Sequence, residues 1–83
     1  MNTEISYNRI KEVLNNKGIK QSWLAKQLGK TQRTVNLYVT NAVQPPIPVL
    51  YKIARLIGVD VKDLLNEDVP IDQLTKPIKL VKE

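Results

Sequence analysis

Apolar residues recur along the first part of the chain at the three- and four-residue spacing of an α-helix. The first such stripe consists of Tyr7, Ile10, Val13 and Leu14. It predicts a helix from about Glu4 to Lys17, with Thr3 as a candidate N-cap. Gly18 follows the polar end of the stripe and supplies a C-terminal stop.

Two shorter periodic segments follow, separated by a glycine. The first is predicted over Gln21–Leu28, and its inward positions are Leu24, Ala25 and Leu28. Gly29 ends it, and Thr31 is a good N-cap for the next helix because its hydroxyl can accept from an early backbone N–H. That third helix is predicted to run to about Thr40, with Val35 and Tyr38 facing inward.

The pattern predicts two more helices after a loop over residues 41–46, which is marked by asparagine and prolines. Pro48 suits the first turn of a fourth helix, whose inward positions are Leu50, Ile53, Ala54 and Ile57. Asp60 can cap a short fifth helix, Val61–Leu65, with Leu64 and Leu65 facing inward. The sequence therefore predicts an all-α fold of five helices, with one domain over residues 1–65.

Residues 66–83 have a different character. Pro70 and Pro77 interrupt them, and Ile78 and Leu80 alternate with Lys79. The prediction is a short irregular or extended C-terminal tail. Two interpretations stay open. The segment is either a tail that is frayed or lies over the core, or a strand or arm that pairs with a second subunit.

Composition narrows the function. The 83 residues contain no cysteine and no histidine, so the commonest general base and the usual zinc ligands are missing. No enzyme activity, metal or cofactor is expected. Apolar runs are too short for a membrane span and the N-terminus lacks a signal peptide, so a cytoplasmic protein is expected. The net charge of +5 favours a polyanionic partner, although it also aids solubility.

The segment Leu24–Val39 carries the features of a helix-turn-helix. The motif needs a small residue where the second helix crosses the first, a turn of fixed length, and apolar residues that hold the pair on a core. Ala25, Gly29 and Val35 stand at the required spacing. The turn then directs the polar residues 31–33 outward, towards a base edge.

The stretches QSWLAKQLGKTQRTVNLYV and QPPIPVLYKIARLIGVDVKDLL resemble the lambda-repressor-like, Cro-type helix-turn-helix domains, the xenobiotic-response-element regulators of bacteria and phages. The resemblance covers about Tyr7 to Leu65 and implies a compact five-helix domain. The ending NLYV-N-QP also resembles small stand-alone members from Bacteroides-type bacteria. The family implies a sequence-specific, double-stranded DNA-binding transcriptional regulator, a repressor that reads the major groove with helix 31–40.

The resemblance also implies roles for individual residues. Base-reading side chains would be Thr31, Gln32, Arg33, Asn36 and Leu37, with amides suited to adenine and arginine to guanine. Phosphate contacts would come from Lys20, Gln21, Lys26, Lys30, Asn41 and Gln44. A homodimer is expected, at least on DNA, because one domain contacts few base pairs. No small-molecule effector is expected.

Several positions depart from the family pattern. Lys20 replaces the usual Ser or Thr cap of the second helix, and Ala42 and Val43 stand where relatives often carry basic residues or glycine. Trp23 either covers the first helix or the tail, or anchors a protein contact. An alternative function is favoured by the apolar residues Trp23, Leu37, Ala42 and Val43. It is a protein-interaction module of the same fold, such as an antitoxin-like or restriction-modification-associated partner.

Overall fold

Four α-helices and one 3₁₀ turn make up residues 5–70, the part of the chain that the computed structural model describes. The helices are α1 (Ile10–Lys17), α2 (Gln21–Leu28), α3 (Gln32–Val39) and α4 (Ile47–Ile57), and the 3₁₀ turn spans Val61–Leu64. None of these helices is long and apolar enough to cross a membrane. The predicted all-helical class is therefore confirmed for the described residues, which contain no strand.

Local signals set the ends of the central helices where the sequence predicts them. Helices α1, α2 and α4 each end at a glycine in the left-handed conformation, which satisfies carbonyls that the helix leaves unpaired. Helix α3 begins after Thr31, whose side chain accepts from the Thr34 backbone N–H. Because each signal lies within one turn of the helix end that it sets, α2, α3 and α4 have the predicted bounds to within one or two residues.

The core is the shared apolar face of the four helices and the 3₁₀ turn. Six side chains are almost completely buried, namely Ile10, Leu14, Leu24, Val35, Ile53 and Leu64. Helix α2 packs against both α3 and α4, and the 3₁₀ turn packs against α1 and α4. These contacts fix α3 on one side of the domain with its remaining surface open to solvent.

The first helix begins later than predicted. Residues 5–9 are not helical, and α1 starts at Ile10 after Arg9, which makes no side-chain cap. The backbone of this segment pairs elsewhere, because the Arg9 N–H donates to the Leu64 carbonyl at 2.8 Å and Asn8 forms an antiparallel bridge with Leu65. Tyr7 is consequently half-buried outside the core, so its predicted place on the inward stripe of α1 is wrong.

The predicted fifth α-helix is a single 3₁₀ turn. Asp60 precedes it as predicted, and its backbone N–H donates to the Asp63 carboxylate at 3.0 Å. Leu65 leaves the turn in extended conformation and is 40% exposed, so its predicted inward position is wrong. The extended backbone that follows lets residue 65 pair with the segment before α1.

Several sequence predictions lie outside the described residues. The candidate cap Thr3, the helix start at Glu4 and the extended segment around Ile78–Leu80 are among them. Asn66 is described, and its backbone N–H donates to the Tyr7 carbonyl at 2.9 Å. A boundary between domain and tail at residue 65 stays a prediction.

Candidate nucleic-acid interface

The crossing of α2 and α3 is built from a buried alanine and a glycine turn. Ala25 is 2% exposed, so the two helix backbones approach closely at this point. Gly29 has φ +69°, and a Cβ atom placed there would meet nothing within 4 Å. The turn therefore requires glycine for its backbone conformation rather than for space. The Lys30 N–H closes it by donating to the Ala25 carbonyl at 3.0 Å.

The hydroxyl of Thr31 holds the beginning of α3. Its Oγ1 accepts from the Thr34 backbone N–H at 3.1 Å and lies 3.0 Å from Thr34 Oγ1. The predicted N-cap is confirmed. Gln32 and Arg33 follow in the first turn, and both are exposed, so their amide and guanidinium groups extend from the open end of the helix.

The outward face of α3 continues for two turns. Arg33, Asn36, Leu37 and Thr40 share it at helical spacing, opposite the buried residues Val35, Tyr38 and Val39. Leu37 is half-buried, whereas Asn36 and Thr40 are exposed. Thr40 was not among the predicted site residues, although its position four residues after Asn36 could have identified it. Its hydroxyl donates to the Asn36 carbonyl at 2.8 Å.

The structure brings together two predicted site residues from different helices. Asn36 Nδ2 donates to Gln21 Oε1 across a long 3.5 Å hydrogen bond. Gln21 is the first residue of α2, where unpaired backbone N–H groups favour an anion. A side chain predicted to contact phosphate thus adjoins one predicted to read a base, and the start of α2 and the face of α3 form a continuous polar surface.

The lysines around this surface differ in their surroundings. Lys20 stands at the N-cap of α2 and makes no side-chain cap bond, as its sequence predicts. Lys26 is exposed on α2, and Lys30 is half-buried in the turn. Within residues 5–70 the ion pair that forms is Arg9–Glu12, so none of these three lysines pairs with a described acid.

Charge is distributed unevenly along the chain. No aspartate or glutamate occurs between Val13 and Val59, a stretch that carries seven basic residues: Lys17, Lys20, Lys26, Lys30, Arg33, Lys52 and Arg55. The acids of the described residues lie in α1 and from Asp60 onwards. The α2–α3 surface is therefore formed by the acid-free part of the chain, which gives it a positive potential.

Two residues predicted to contact phosphate have partners inside the chain. Asn41 is half-buried in the left-handed conformation at φ +65°. Its Oδ1 accepts from the Tyr7 and Asn8 N–H groups, both at 2.9 Å. Gln44 Oε1 accepts from Asn8 Nδ2 at 2.7 Å. The structure thus joins these side chains to the segment before α1, and their phosphate contacts stay a prediction.

Large apolar side chains are exposed on α2 and in the loop after α3. Trp23 on α2 is 42% exposed and Val43 in the loop after α3 is 48% exposed. Trp23 lines a shallow groove with Ile19 and Lys20. Both predicted roles of Trp23, a cover for the first helix or the tail and an anchor for a protein contact, stay predictions.

A short helix, a glycine turn and a second helix with an exposed polar face together define the helix-turn-helix class of proteins. Comparison of the sequence with models of known protein families identifies the family within this class. A family model described as helix-turn-helix, of the Cro/C1 type, matches residues 10–64. The chain belongs to this family, as its resemblance predicts.

Solved structures have the same fold. A candidate DNA-binding protein from Bacteroides fragilis is 42% identical, with a TM-score of 0.71 over 72% of this chain and 97% of that one. A hypothetical transcription factor, NHTF, from Neisseria is 26% identical, with a TM-score of 0.62 over 80% of this chain and 74% of that one. No curated protein matches the chain.

Proposed function

We propose that this chain is a sequence-specific, double-stranded DNA-binding transcriptional regulator, a repressor that acts in the cytoplasm and reads the major groove with α3. The observation that carries the proposal is the continuous polar surface at the α2–α3 crossing, where Asn36 adjoins Gln21. It lies in the acid-free stretch of the chain. Membership of the helix-turn-helix family, and similarity to a candidate DNA-binding protein and a hypothetical transcription factor, support the same function.

The exposed face of α3 supplies the base-reading groups. Gln32 and Asn36 carry amides that match the donor and acceptor of adenine, and Arg33 matches the two acceptors of guanine. Leu37 is half-buried, so it offers an apolar edge suited to a thymine methyl. Thr31 caps the helix, so its contact with a base would be limited to the oxygen lone pair or methyl group that remains free.

Phosphate contacts come from the start of α2 and from the surrounding lysines. Gln21 lies where the α2 backbone N–H groups point outward. Lys20, Lys26 and Lys30 add positive charge that positions the protein on the duplex without reading its sequence. A domain of this size would neutralise about 4–6 phosphates, which corresponds to a log–log salt slope of about −4 to −5.

A domain with so small a DNA-binding surface can gain sequence specificity if two copies bind one operator. A second domain on a half-site about one helical turn away doubles the number of base contacts. We therefore propose a homodimer, at least on DNA. Bound over a promoter, such a dimer would exclude the polymerase and so repress transcription.

The test is a pair of arginine variants measured against an operator obtained by selection from random duplexes. Arg33→Ala should weaken binding by roughly 1–3 kcal/mol and relax preference at one position, if the guanidinium reads a base. Arg55→Ala is the matched control, because it removes the same charge from an exposed site on α4. Equal, sequence-independent weakening by both variants would contradict base reading by Arg33.

A second matched pair tests the phosphate surface. Gln21→Ala should weaken binding to all duplexes with little change in sequence preference. Gln27→Ala, on the exposed side of α2 that adjoins α4, should leave binding unchanged. A changed sequence preference in Gln21→Ala would contradict the phosphate assignment and move Gln21 to the base-reading group.

A protein-interaction module of the same fold is the second candidate. The exposed Trp23 and Val43 favour it, because large apolar side chains at a surface are good anchors for a protein partner. The discriminating measurement is an amide-resolved NMR titration with a short mixed-sequence duplex at low salt. Salt-sensitive shifts at Gln21 and residues 30–36 support DNA binding, whereas an unchanged spectrum favours a protein partner.

A further inference from the structure

Three segments that are far apart in sequence meet beside the C-terminal end of α3. They are residues 6–9 before α1, residues 41–44 after α3, and residues 64–66 at the end of the 3₁₀ turn. Three asparagines, Asn8, Asn41 and Asn66, connect these segments, and we name them the asparagine clamp. No motif in the sequence accounts for them.

Asn41 joins the end of α3 to the first segment. Its Oδ1 accepts from the Tyr7 and Asn8 N–H groups at 2.9 Å, and its Nδ2 donates to the Asn8 carbonyl at 3.0 Å. The side-chain amide therefore pairs with the backbone as a neighbouring strand would. Its left-handed backbone, at φ +65°, is a conformation that asparagine adopts more readily than most residues.

Asn8 carries the connection into α3 itself. It is 2% exposed, and its Nδ2 donates to the Tyr38 carbonyl at 3.0 Å and to Gln44 Oε1 at 2.7 Å. Tyr38 lies in the last turn of α3, where backbone carbonyls have no partner within the helix. The amide of Asn8 thus caps the C-terminal end of the helix that presents the polar face.

Asn66 holds the same segment from the other side. Its Nδ2 donates to the Ser6 carbonyl at 2.8 Å and to Ser6 Oγ at 2.9 Å. A longer bond of 3.3 Å reaches the Asn8 carbonyl, which also accepts from Asn41. The Asn8 carbonyl therefore accepts from both Asn41 and Asn66. The hydrogen bonds of the Asn66 side chain connect it to α3 indirectly, through residues 6–8.

We propose that the asparagine clamp sets the position of the last turn of α3 and of the loop after it, and that Asn66 is a positioning residue for DNA binding. This inference rests on the proposed function. Asn66→Ala would remove the side-chain donor of the Ser6 carbonyl and one of the two amide donors of the Asn8 carbonyl, so Asn66 would hold the segment before α1 only by its backbone bond to Tyr7.

The first test compares Asn66→Ala with Asn16→Ala, which removes an exposed asparagine from α1. Affinity is measured for the selected operator well below the unfolding temperature. Asn66→Ala should bind about threefold to tenfold more weakly, with an unchanged salt slope because no phosphate contact is lost. Asn16→Ala should bind as the natural chain does.

The second test needs no DNA. The Ala42 and Val43 N–H groups both donate to the Leu37 carbonyl, so their hydrogen exchange reports on the end of α3. Asn66→Ala should accelerate exchange at these two amides, and Asn16→Ala should not. If Asn66→Ala fails to fold, Ser6→Ala removes the hydroxyl that accepts from both Asn41 and Asn66 and should show the same pattern more weakly.

The outcomes separate the two proposals. If the natural chain binds no duplex, the proposed function fails, and the exchange experiment still decides whether the clamp reaches α3. If the natural chain binds but Asn66→Ala loses only thermal stability, with unchanged affinity and exchange at Ala42 and Val43, the clamp merely holds the fold and the positioning role is overturned.

Discussion

The α2–α3 unit and the asparagine clamp adjoin one another but are built differently. In the unit, the contacts that set the helix ends join residues three to five positions apart, such as Thr31 with Thr34 and Lys30 with Ala25. In the clamp, the contacts join residues 30 to 60 positions apart, such as Asn8 with Tyr38 and Asn66 with Ser6. The unit carries the exposed polar face of α3, and the clamp joins the C-terminal end of that helix to the segment before α1.

The difference between the two regions shows which structural features can be predicted from a single sequence. Caps, turns and apolar spacing act over one helical turn, so they can be read from neighbouring residues. The partner of an asparagine side chain can lie anywhere in the fold, and nothing in the residues beside Asn8 identifies Asn41. Four variants, in order of decreasing expected effect, test whether the two regions are as distinct as their contacts indicate.

Leu24→Ala removes a completely buried side chain from α2 and should have the largest effect. The lost packing and the residual cavity should lower the free energy of unfolding by roughly 2–5 kcal/mol. Because the core is shared, both regions should unfold together in one transition. Leu56→Ala, at a more exposed site on α4, is the control for chemical denaturation, and separate transitions for the two regions would contradict a common core.

Asn41→Ala should affect the clamp first. It leaves two backbone N–H groups without their acceptor, at a cost of about 1–3 kcal/mol, and places alanine in a left-handed conformation, at about 1 kcal/mol more. Asn41→Gly removes only the amide, so it should be less destabilising by about that second amount. Equal unfolding free energies for the two variants would show that the backbone conformation relaxes when the clamp opens.

Thr31→Ala should act on the unit alone. Loss of the cap should lower stability by about 1 kcal/mol, with faster hydrogen exchange in the first turn of α3 and unchanged exchange at Tyr7 and Asn8. Ser22→Ala, which alters an exposed hydroxyl on α2, is the matched control. Faster exchange throughout the clamp would mean that the two regions open together.

Lys20→Ser should have the smallest effect, and it should be of opposite sign. Serine can cap α2 where lysine makes no cap bond, so the free energy of unfolding should rise by about 0.5–1 kcal/mol. Affinity for duplex DNA should fall at the same time if Lys20 contacts phosphate. Thermal denaturation and binding measured on one preparation separate the two effects, and a variant less stable than the natural chain would exclude the capping argument.

Most of the fold could be predicted because its signals are local. The bounds of α2 and α3 follow from Gly29 and Thr31, and the buried face of α4 follows from its apolar spacing. The start of α1 could not be predicted, because the three-residue spacing of Tyr7 and Ile10 is what a helix extending back to Tyr7 would also show. What prevents a helix there is the pairing of residues 7–9 with Leu64, Asn66 and Asn41.

The candidate site could be predicted in part for the same reason. Gln32, Arg33 and Asn36 are exposed on α3 as their positions in the helix indicate, whereas their roles towards bases stay predictions. The surroundings of Asn41 and Gln44 could not be foreseen. A loop asparagine and glutamine beside a recognition helix suggest phosphate contacts, and only the fold shows that both side chains bind the segment before α1.

The distance along the chain between Asn8 and Asn66, 58 positions, also has a consequence for folding order. Closing so long a loop is entropically costly, so its bonds form only after shorter contacts have drawn the segments together. On a ribosome, Asn66 emerges after the whole of α2 and α3. We therefore expect α3 to form in a nascent chain before Asn66 can join the clamp beside the C-terminal end of that helix.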